Sequence, residues 1–191
     1  MNLNELATEI YEANKANGWW DDVKEEGFEE NKVLEILKEA AEMHEAIRKG
    51  KLALHGALEA LSEGLFDKKY FEVTIKDSVE DEAADVVIRI LDWHGYLLKE
   101  GEYYVDGMST TEELYDVHNS IARRDNKSKY LPSIAVYRFI EEAPMYGPSG
   151  MMHHAFVMFA KCGIPFERIF PHVKAKLEYN KTRGALHGKK F

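Results

Sequence analysis

The feature that most constrains the fold is one predicted helix, residues 78–98, which is apolar over more than half of its circumference. Ser78 is predicted to cap its N-terminus, and three acidic residues follow in the first turn, where the helix dipole favours negative charge. A helix this apolar has to be buried, so the other elements are expected to pack around it. Its apolar residues are Ala83, Ala84, Val86, Val87, Ile88, Ile90, Leu91 and Trp93.

Helical periodicity continues along the rest of the chain, and the alternation typical of strands is nearly absent. Residues 53–61 are predicted to be helical and residues 70–75 to be extended or a short connector, while Pro171 is predicted to kink or split the last helix. The sequence therefore predicts an all-α helical bundle built from one domain, residues 1–191. The other predicted helices cover residues 3–17, 31–49, 110–124, 132–143, 150–162 and 166–180.

Charged residues interrupt the apolar surface of the 78–98 helix. Glu82, Asp85, Arg89 and Asp92 are spaced by three and four residues, so they share one face. Buried carboxylates are expensive unless cations or a metal neutralise them. A salt-bridge network around Arg89 is one interpretation, but it leaves surplus negative charge on Glu82 and Asp85.

A second carboxylate pair, Glu39 and Glu42, lies on one stripe of the predicted 31–49 helix. By itself such a stripe is typical of a solvated face. If the two helices pack side by side, however, this pair faces Glu82 and Asp85. Four oxygen donors around one cavity suit Mg²⁺, with Mn²⁺ as the alternative. A ferritin-like di-iron centre is rejected because none of the eight histidines has a Glu three residues before it.

The charge and composition of the chain limit the kinds of partner and the cellular locations that are expected for it. The net charge of -9 disfavours binding to nucleic acid or to an anionic membrane surface. Apolar runs are too short to span a membrane, and the N-terminus does not resemble a signal peptide. Cys162 is the single cysteine, which excludes an internal disulfide. We therefore expect a cytoplasmic protein with a small-molecule ligand.

Four segments in the same order resemble the MazG family of all-α nucleoside triphosphate pyrophosphohydrolases. Two of them are the Glu-x-x-Glu motif of Glu39 and Glu42 and the Glu-x-x-Asp motif of Glu82 and Asp85, each with its flanking residues. The other two are residues 14–20, which contain Trp19-Trp20, and the basic C-terminal tail. The resemblance implies that Glu39, Glu42, Glu82 and Asp85 hold Mg²⁺ and that a (d)NTP is split into (d)NMP and pyrophosphate. Arg89 and Asp92 are secondary candidates for the site.

The resemblance also implies how the substrate is held. The basic tail, about residues 172–191, would close over the phosphates, and Trp19 or Trp20 would stack on the base. Glu42 is the expected general base, and a homodimer or homotetramer is the expected assembly. The tail residues expected to contact the phosphates are Lys176, Asn180, Arg183 and Lys189.

One segment departs from the compact members of this family: residues 100–163 form a predicted helical insertion. It is expected to complete the bundle, to build a dimer interface or to reshape the pocket that reads the base. A house-cleaning activity or a preference for pyrimidine dNTPs is compatible with the sequence. The alternative function is a catalytically silent helical module that binds nucleotides or another protein.

Overall fold

The computed structural model describes residues 1–24, 26–62, 66–101, 107–123 and 131–183, and these ranges form α-helices and no strand. No helix within them is both long and apolar enough to span a membrane. The elements are α1 (Leu3–Ala16), α2 (Phe28–Lys49), α3 (Ala57–Ser62), α4 (Lys68–Thr74), α5 (Val79–Glu100), α6 (Thr111–Ala122), α7 (Leu131–Glu142), a 3-10 turn (Ala143–Met145), α8 (Pro148–Cys162) and α9 (Phe166–Lys181).

Helix α5 is the centre of the bundle, as its sequence predicts. It packs against α1, α2, α8 and α9, and its apolar residues belong to the main hydrophobic core. Its start is fixed locally, because Ser78 Oγ accepts a hydrogen bond from the Asp81 backbone N–H at 3.2 Å. Asp81 in turn accepts one from the Asp77 N–H at 2.9 Å, so the N-terminal turn is held from both sides.

Between α2 and the C-terminus, one prediction was wrong, and one of the two alternatives given for Pro171 is excluded. Residues 70–75 are not extended, because Asp67 caps α4 by accepting a hydrogen bond from the Tyr70 N–H at 3.0 Å, and Phe71 is fully buried. Pro171 does not split α9. A proline removes only one helical hydrogen bond, and here its acceptor would be the first-turn residue Glu167. Ion pairs to α5 hold α9 on both sides of the proline, from Arg168 to Glu80 and from Lys176 to Asp81.

The predicted 100–163 insertion is mainly helical in its described ranges, and these helices complete the bundle. Helices α6 and α7 pack on α8, α8 packs on α5, and α7 packs on α2. Fully buried methionine and phenylalanine side chains of α8 join the main core. Several large apolar side chains of the same region remain exposed, namely Tyr115, Ile134, Tyr137, Ile140, Met145 and Tyr146.

The contact between α1 and α5 yields a stability prediction at Gly95. A Cβ atom there would lie 2.2 Å from the Ala7 carbonyl oxygen and 2.7 Å from Tyr11 Cβ, so Gly95→Ala is expected to destabilise the protein by about 1–3 kcal/mol in urea unfolding. Helix propensity alone would make the same change stabilising by about 0.5–1 kcal/mol. The control is Gly147→Ala, where a Cβ atom meets nothing within 4 Å. A stabilised Gly95→Ala variant would contradict this packing.

Candidate functional site

One cleft of about 810 Å³ lies where α1, α2, α5 and α9 meet. Acidic side chains from α2 and α5 stand on one part of its wall, and basic side chains from α9 stand on another. No described residue between 107 and 163 lines it, so the described part of the insertion does not form its wall. The charged lining residues are Glu9, Lys38, Glu39, Glu42, Lys76, Asp77, Glu82, Asp85, Arg89, Lys174, Lys176, Glu178, Lys181 and Arg183.

Three carboxylates from the two motif helices converge inside the cleft. Glu39 and Glu42 on α2 and Glu82 on α5 each place an oxygen within 4.8 Å of the others. Glu39 is 6% exposed and Glu82 is 8% exposed, while Glu42 is largely open to solvent and lies 3.1 Å from Lys38 Nζ. The side-by-side packing predicted from the sequence thus brings three of the four motif acids together.

The fourth motif acid, Asp85, lines the same cleft but does not join this cluster. Its Oδ2 lies 2.6 Å from Lys176 Nζ, which also donates to Asp81 Oδ2 at 2.8 Å. Asp81 was not predicted as a site residue, although its four-residue spacing from Asp85 places both on one helix face. Asp77, Asp81 and Glu82 form a second acidic group with oxygens within 4.8 Å of one another.

The two secondary candidates have different surroundings. Arg89 reaches across to α2, with Nε 3.3 Å from Glu39 Oε1 and Nη1 3.4 Å from Glu35 Oε2. Its predicted salt-bridge role is therefore directed at α2 and not at its own helix. Asp92 is buried outside the cleft and accepts a hydrogen bond from Trp20 Nε1 at 3.0 Å. Burial raises the pKa of Asp92 to about 6. Because Asp92 is buried and bonded to Trp20, it is part of the core and not of the cleft.

The two adjacent tryptophans also have different surroundings. Trp20 is buried, its ring stacks on Tyr96 with centroids 4.6 Å apart, and Lys32 Nζ lies 4.4 Å from its centroid. Base stacking by Trp20 is therefore contradicted, because neighbouring side chains already cover its ring. Trp19 is half-buried and lines the cleft, with the Arg89 guanidinium 5.6 Å from its ring centroid.

The C-terminal residues predicted to hold phosphates lie on the α9 side of the cleft as far as they are described. Asn180 and Arg183 line it, and Arg183 lies 5.7 Å from the Tyr179 ring centroid. Lys176 also lines it but is occupied by Asp81 and Asp85, and Lys189 lies outside the described residues. Within the described ranges, Lys174 and Arg183 are the basic lining residues without an ion pair.

The burial and charge of the carboxylate cluster indicate that a bound cation would stabilise it. Glu82 has no hydrogen-bond or ion-pair partner for its carboxylate among the described residues. Burial, followed by the nearby charge of Asp85, raises the pKa of Glu82 to about 8. Burial likewise raises the pKa of Glu39 to about 7, against the opposing effect of Arg89. Two buried acids that resist ionisation beside a third, exposed acid form a donor set that a divalent cation would stabilise.

The oxygen spacing also fits such an ion. Mg²⁺ binds oxygen at about 2.0–2.1 Å with octahedral geometry, so opposite ligands are about 4.2 Å apart. Oxygens that lie within 4.8 Å of one another are close to this spacing without a change of backbone. Carboxylate donors without histidine or cysteine favour Mg²⁺ or Mn²⁺ over softer metals.

Comparison of the chain with protein-family models, with curated proteins and with solved structures gives no match. The likeness to the MazG family therefore remains a resemblance of motifs.

The raised pKa of Glu82 predicts a pH-dependent effect on stability. Because the folded pKa of about 8 lies above the ordinary value of 4.5, the folded protein keeps a proton that the unfolded chain loses as the pH rises from 4.5 to 8. The free energy of unfolding of the wild type is therefore expected to fall as the pH rises across this window. Without divalent cations, Glu82→Gln is expected to stabilise the protein by about 1–3 kcal/mol more at pH 8 than at pH 5.

Urea unfolding in a metal chelator at both pH values measures this difference. The matched control is Glu26→Gln, which removes the same charge from an exposed position outside the cleft. An equal effect of Glu82→Gln at pH 5 and pH 8 would show that the buried carboxylate is not held protonated.

Proposed function

We propose that this protein is a Mg²⁺-dependent nucleoside triphosphate pyrophosphohydrolase that converts a (d)NTP and water into a (d)NMP and pyrophosphate. The observation that carries the proposal is the buried Glu82 carboxylate, which has no partner among the described residues and faces Glu39 and Glu42 in a cleft that also presents basic residues of α9. The motif resemblance points to the same activity.

The acidic and basic parts of the cleft suit different parts of one ligand. Glu39, Glu42 and Glu82 would hold Mg²⁺, with Mn²⁺ as the alternative. When bound, the cation supplies charge neutralisation for the phosphates and acidifies a coordinated water. Asp85 would join this set only if Lys176 released it.

Glu42 is the best candidate for the general base. It is the most exposed of the three clustered acids, its carboxylate faces the cleft, and its ion pair with Lys38 is a solvent-exposed one. Such pairs contribute little and are easily exchanged. A Glu42 oxygen would accept the proton of the water that attacks the α-phosphorus. The bond from the α-phosphorus to the bridging oxygen then breaks, and its electron pair leaves with pyrophosphate.

The α9 side of the cleft would bind the phosphates and stabilise the leaving group. Arg183 offers a planar fork suited to two phosphate oxygens, and Lys174 offers a point charge. Neither forms an ion pair with a described residue, so neither has to be released first. The Asn180 side-chain oxygen has no hydrogen-bond partner in the described part of the chain, and its amide can turn to donate to an anion.

A panel of NTPs and dNTPs with Mg²⁺ tests the activity directly. Wild type is expected to release pyrophosphate from at least one nucleotide, and Glu42→Gln is expected to lower kcat by about 10²–10⁴-fold because it removes the base. The control is Glu45→Gln on the same helix, whose carboxylate pairs with Arg48 and Lys49 outside the cleft.

The products and the variants separate the outcomes of that panel. Release of inorganic phosphate in place of pyrophosphate would contradict the proposed bond cleavage. Full activity of Glu42→Gln would remove Glu42 from the reaction. No turnover of any nucleotide by wild type would exclude the enzymatic function.

The two tryptophans give a second prediction. Trp19→Leu is expected to raise KM for the preferred nucleotide by roughly 5–100-fold, in line with the ~1–3 kcal/mol of base stacking, with little loss of folding stability. Trp20→Leu is expected to lower the free energy of unfolding by about 2–4 kcal/mol, because it removes a buried ring and its hydrogen bond to Asp92. Kinetics and urea unfolding of both variants measure this, and reversed effects would contradict the assignment.

A second candidate function is a silent nucleotide-binding or protein-interaction module. It is favoured by the exposed apolar side chains of the insertion, such as Tyr137 and Met145. Such side chains would equally suit the homodimer or homotetramer that we propose for the enzyme. Sedimentation of wild type and Tyr137→Ser, together with the nucleotide panel, separates a self-associating enzyme from an inactive partner-binding module.

A further inference from the structure

Lys176 is the most enclosed cation of the cleft. Its side chain is 7% exposed, and its Nζ lies 2.8 Å from Asp81 Oδ2 and 2.6 Å from Asp85 Oδ2. The residue comes from α9, whereas both acids belong to α5, 91 to 95 positions earlier in the chain. A buried ammonium that bridges two carboxylates is held by charge from both sides.

The two carboxylates do not depend on Lys176 equally. Asp81 is 1% exposed and keeps a second hydrogen bond from the Asp77 N–H at 2.9 Å. Asp85 is 19% exposed and lines the cleft, and Lys176 is its one side-chain partner among the described residues. If the ammonium were to leave one acid, release of Asp85 into the cleft would therefore be less costly than release of Asp81.

We propose that Lys176 is a positioning residue that competes with the divalent cation for Asp85 and so sets the affinity of the site for metal. This inference rests on the proposed metal site. Lys176 Nζ remains on Asp81 while it gives up Asp85, whose carboxylate then becomes available beside Glu82. The cost of separating Lys176 from Asp85 weakens the binding of a cation that arrives without substrate.

An anion in the cleft would reduce this cost. An ammonium released from Asp85 lies on the same wall as Asn180 and Arg183, where a phosphate oxygen can replace the lost carboxylate. Metal and triphosphate would then bind with positive coupling, and the coupling would be reciprocal. Lys176 thereby links loading of the cation to the presence of substrate.

Calorimetric titration of the full chain with Mn²⁺ alone, without nucleotide, tests the competition. Lys176→Gln is expected to lower the Kd for Mn²⁺ about tenfold or more, because Asp85 is freed. The control is Lys49→Gln, which removes the same charge from an exposed lysine that is paired with Glu45 outside the cleft. Lys49→Gln is expected to change the Kd by less than about threefold, since exposed charges are well screened.

Loss of Lys176 leaves Asp81 buried without a cation, so the single variant can fail to fold. The double variant Asp81→Asn/Lys176→Gln keeps the net charge of the chain and the size of both side chains, and it is titrated in the same way. A further pair of variants, Asp85→Asn and Asp85→Asn/Lys176→Gln, closes a double-mutant cycle with wild type and Lys176→Gln. If Lys176 acts through Asp85, removing Lys176 has no effect on Mn²⁺ affinity once Asp85 is neutral.

The outcomes separate this inference from the proposed function. An unchanged Kd in the folded Asp81→Asn/Lys176→Gln variant, or an equal change in Lys49→Gln, overturns the role of Lys176. If the role of Lys176 is overturned but wild type hydrolyses nucleotides, the proposed function holds and the inference about Lys176 fails. If the Lys176 effect is seen but no nucleotide is hydrolysed, the inference stands and the function fails. If neither wild type nor any variant binds Mn²⁺, both fail.

Discussion

The burial of carboxylates on α5 is the constraint on which the rest of the structure depends. This helix is enclosed by four others, yet its first two turns carry four acidic residues, and taking them out of water is costly without compensation. Neighbouring helices supply that compensation one acid at a time. Arg168 lies 2.9 Å from Glu80, and Lys176 forms ion pairs with Asp81 and Asp85. Glu82 is left without a partner in the described part of the chain, which makes it the centre of the candidate site.

Ion pairs neutralise some of the acids of α5 and leave others available to the cleft. Arg89 ties α5 to Glu39 on α2, and Lys176 ties α5 to α9, so the walls of the cleft are held by the same ion pairs that limit its negative charge. In the carboxylate cluster, burial raises the pKa values of Glu39 and Glu82. Such local cost is typical of a functional site, where stability is lost in favour of ligand binding. A cation that entered the cluster would relieve this cost and would couple ligand binding to folding.

Local chemistry explains why most helices could be predicted from the sequence. Ser78 caps α5, and Gly50 ends α2 in the left-handed conformation with φ 64°. Helix α4 was missed because the buried packing of Phe71 outweighs a weak local pattern. The facing of Glu39 and Glu82 followed from helical spacing. The Lys176 bridge did not, because it joins residues more than 90 positions apart, and no local pattern reveals which cation reaches a buried acid. Trp19 and Trp20 likewise differ only in tertiary surroundings.

Anomalous X-ray diffraction from crystals of the protein grown with Mn²⁺ shows directly whether the carboxylate cluster binds a metal ion. We expect an anomalous peak at about 2.1–2.2 Å from oxygens of Glu39, Glu42 and Glu82, as for a hard divalent cation. A peak at another place on the chain, or none in the cleft while Glu82 keeps its position, would contradict the claim that these carboxylates are a metal site.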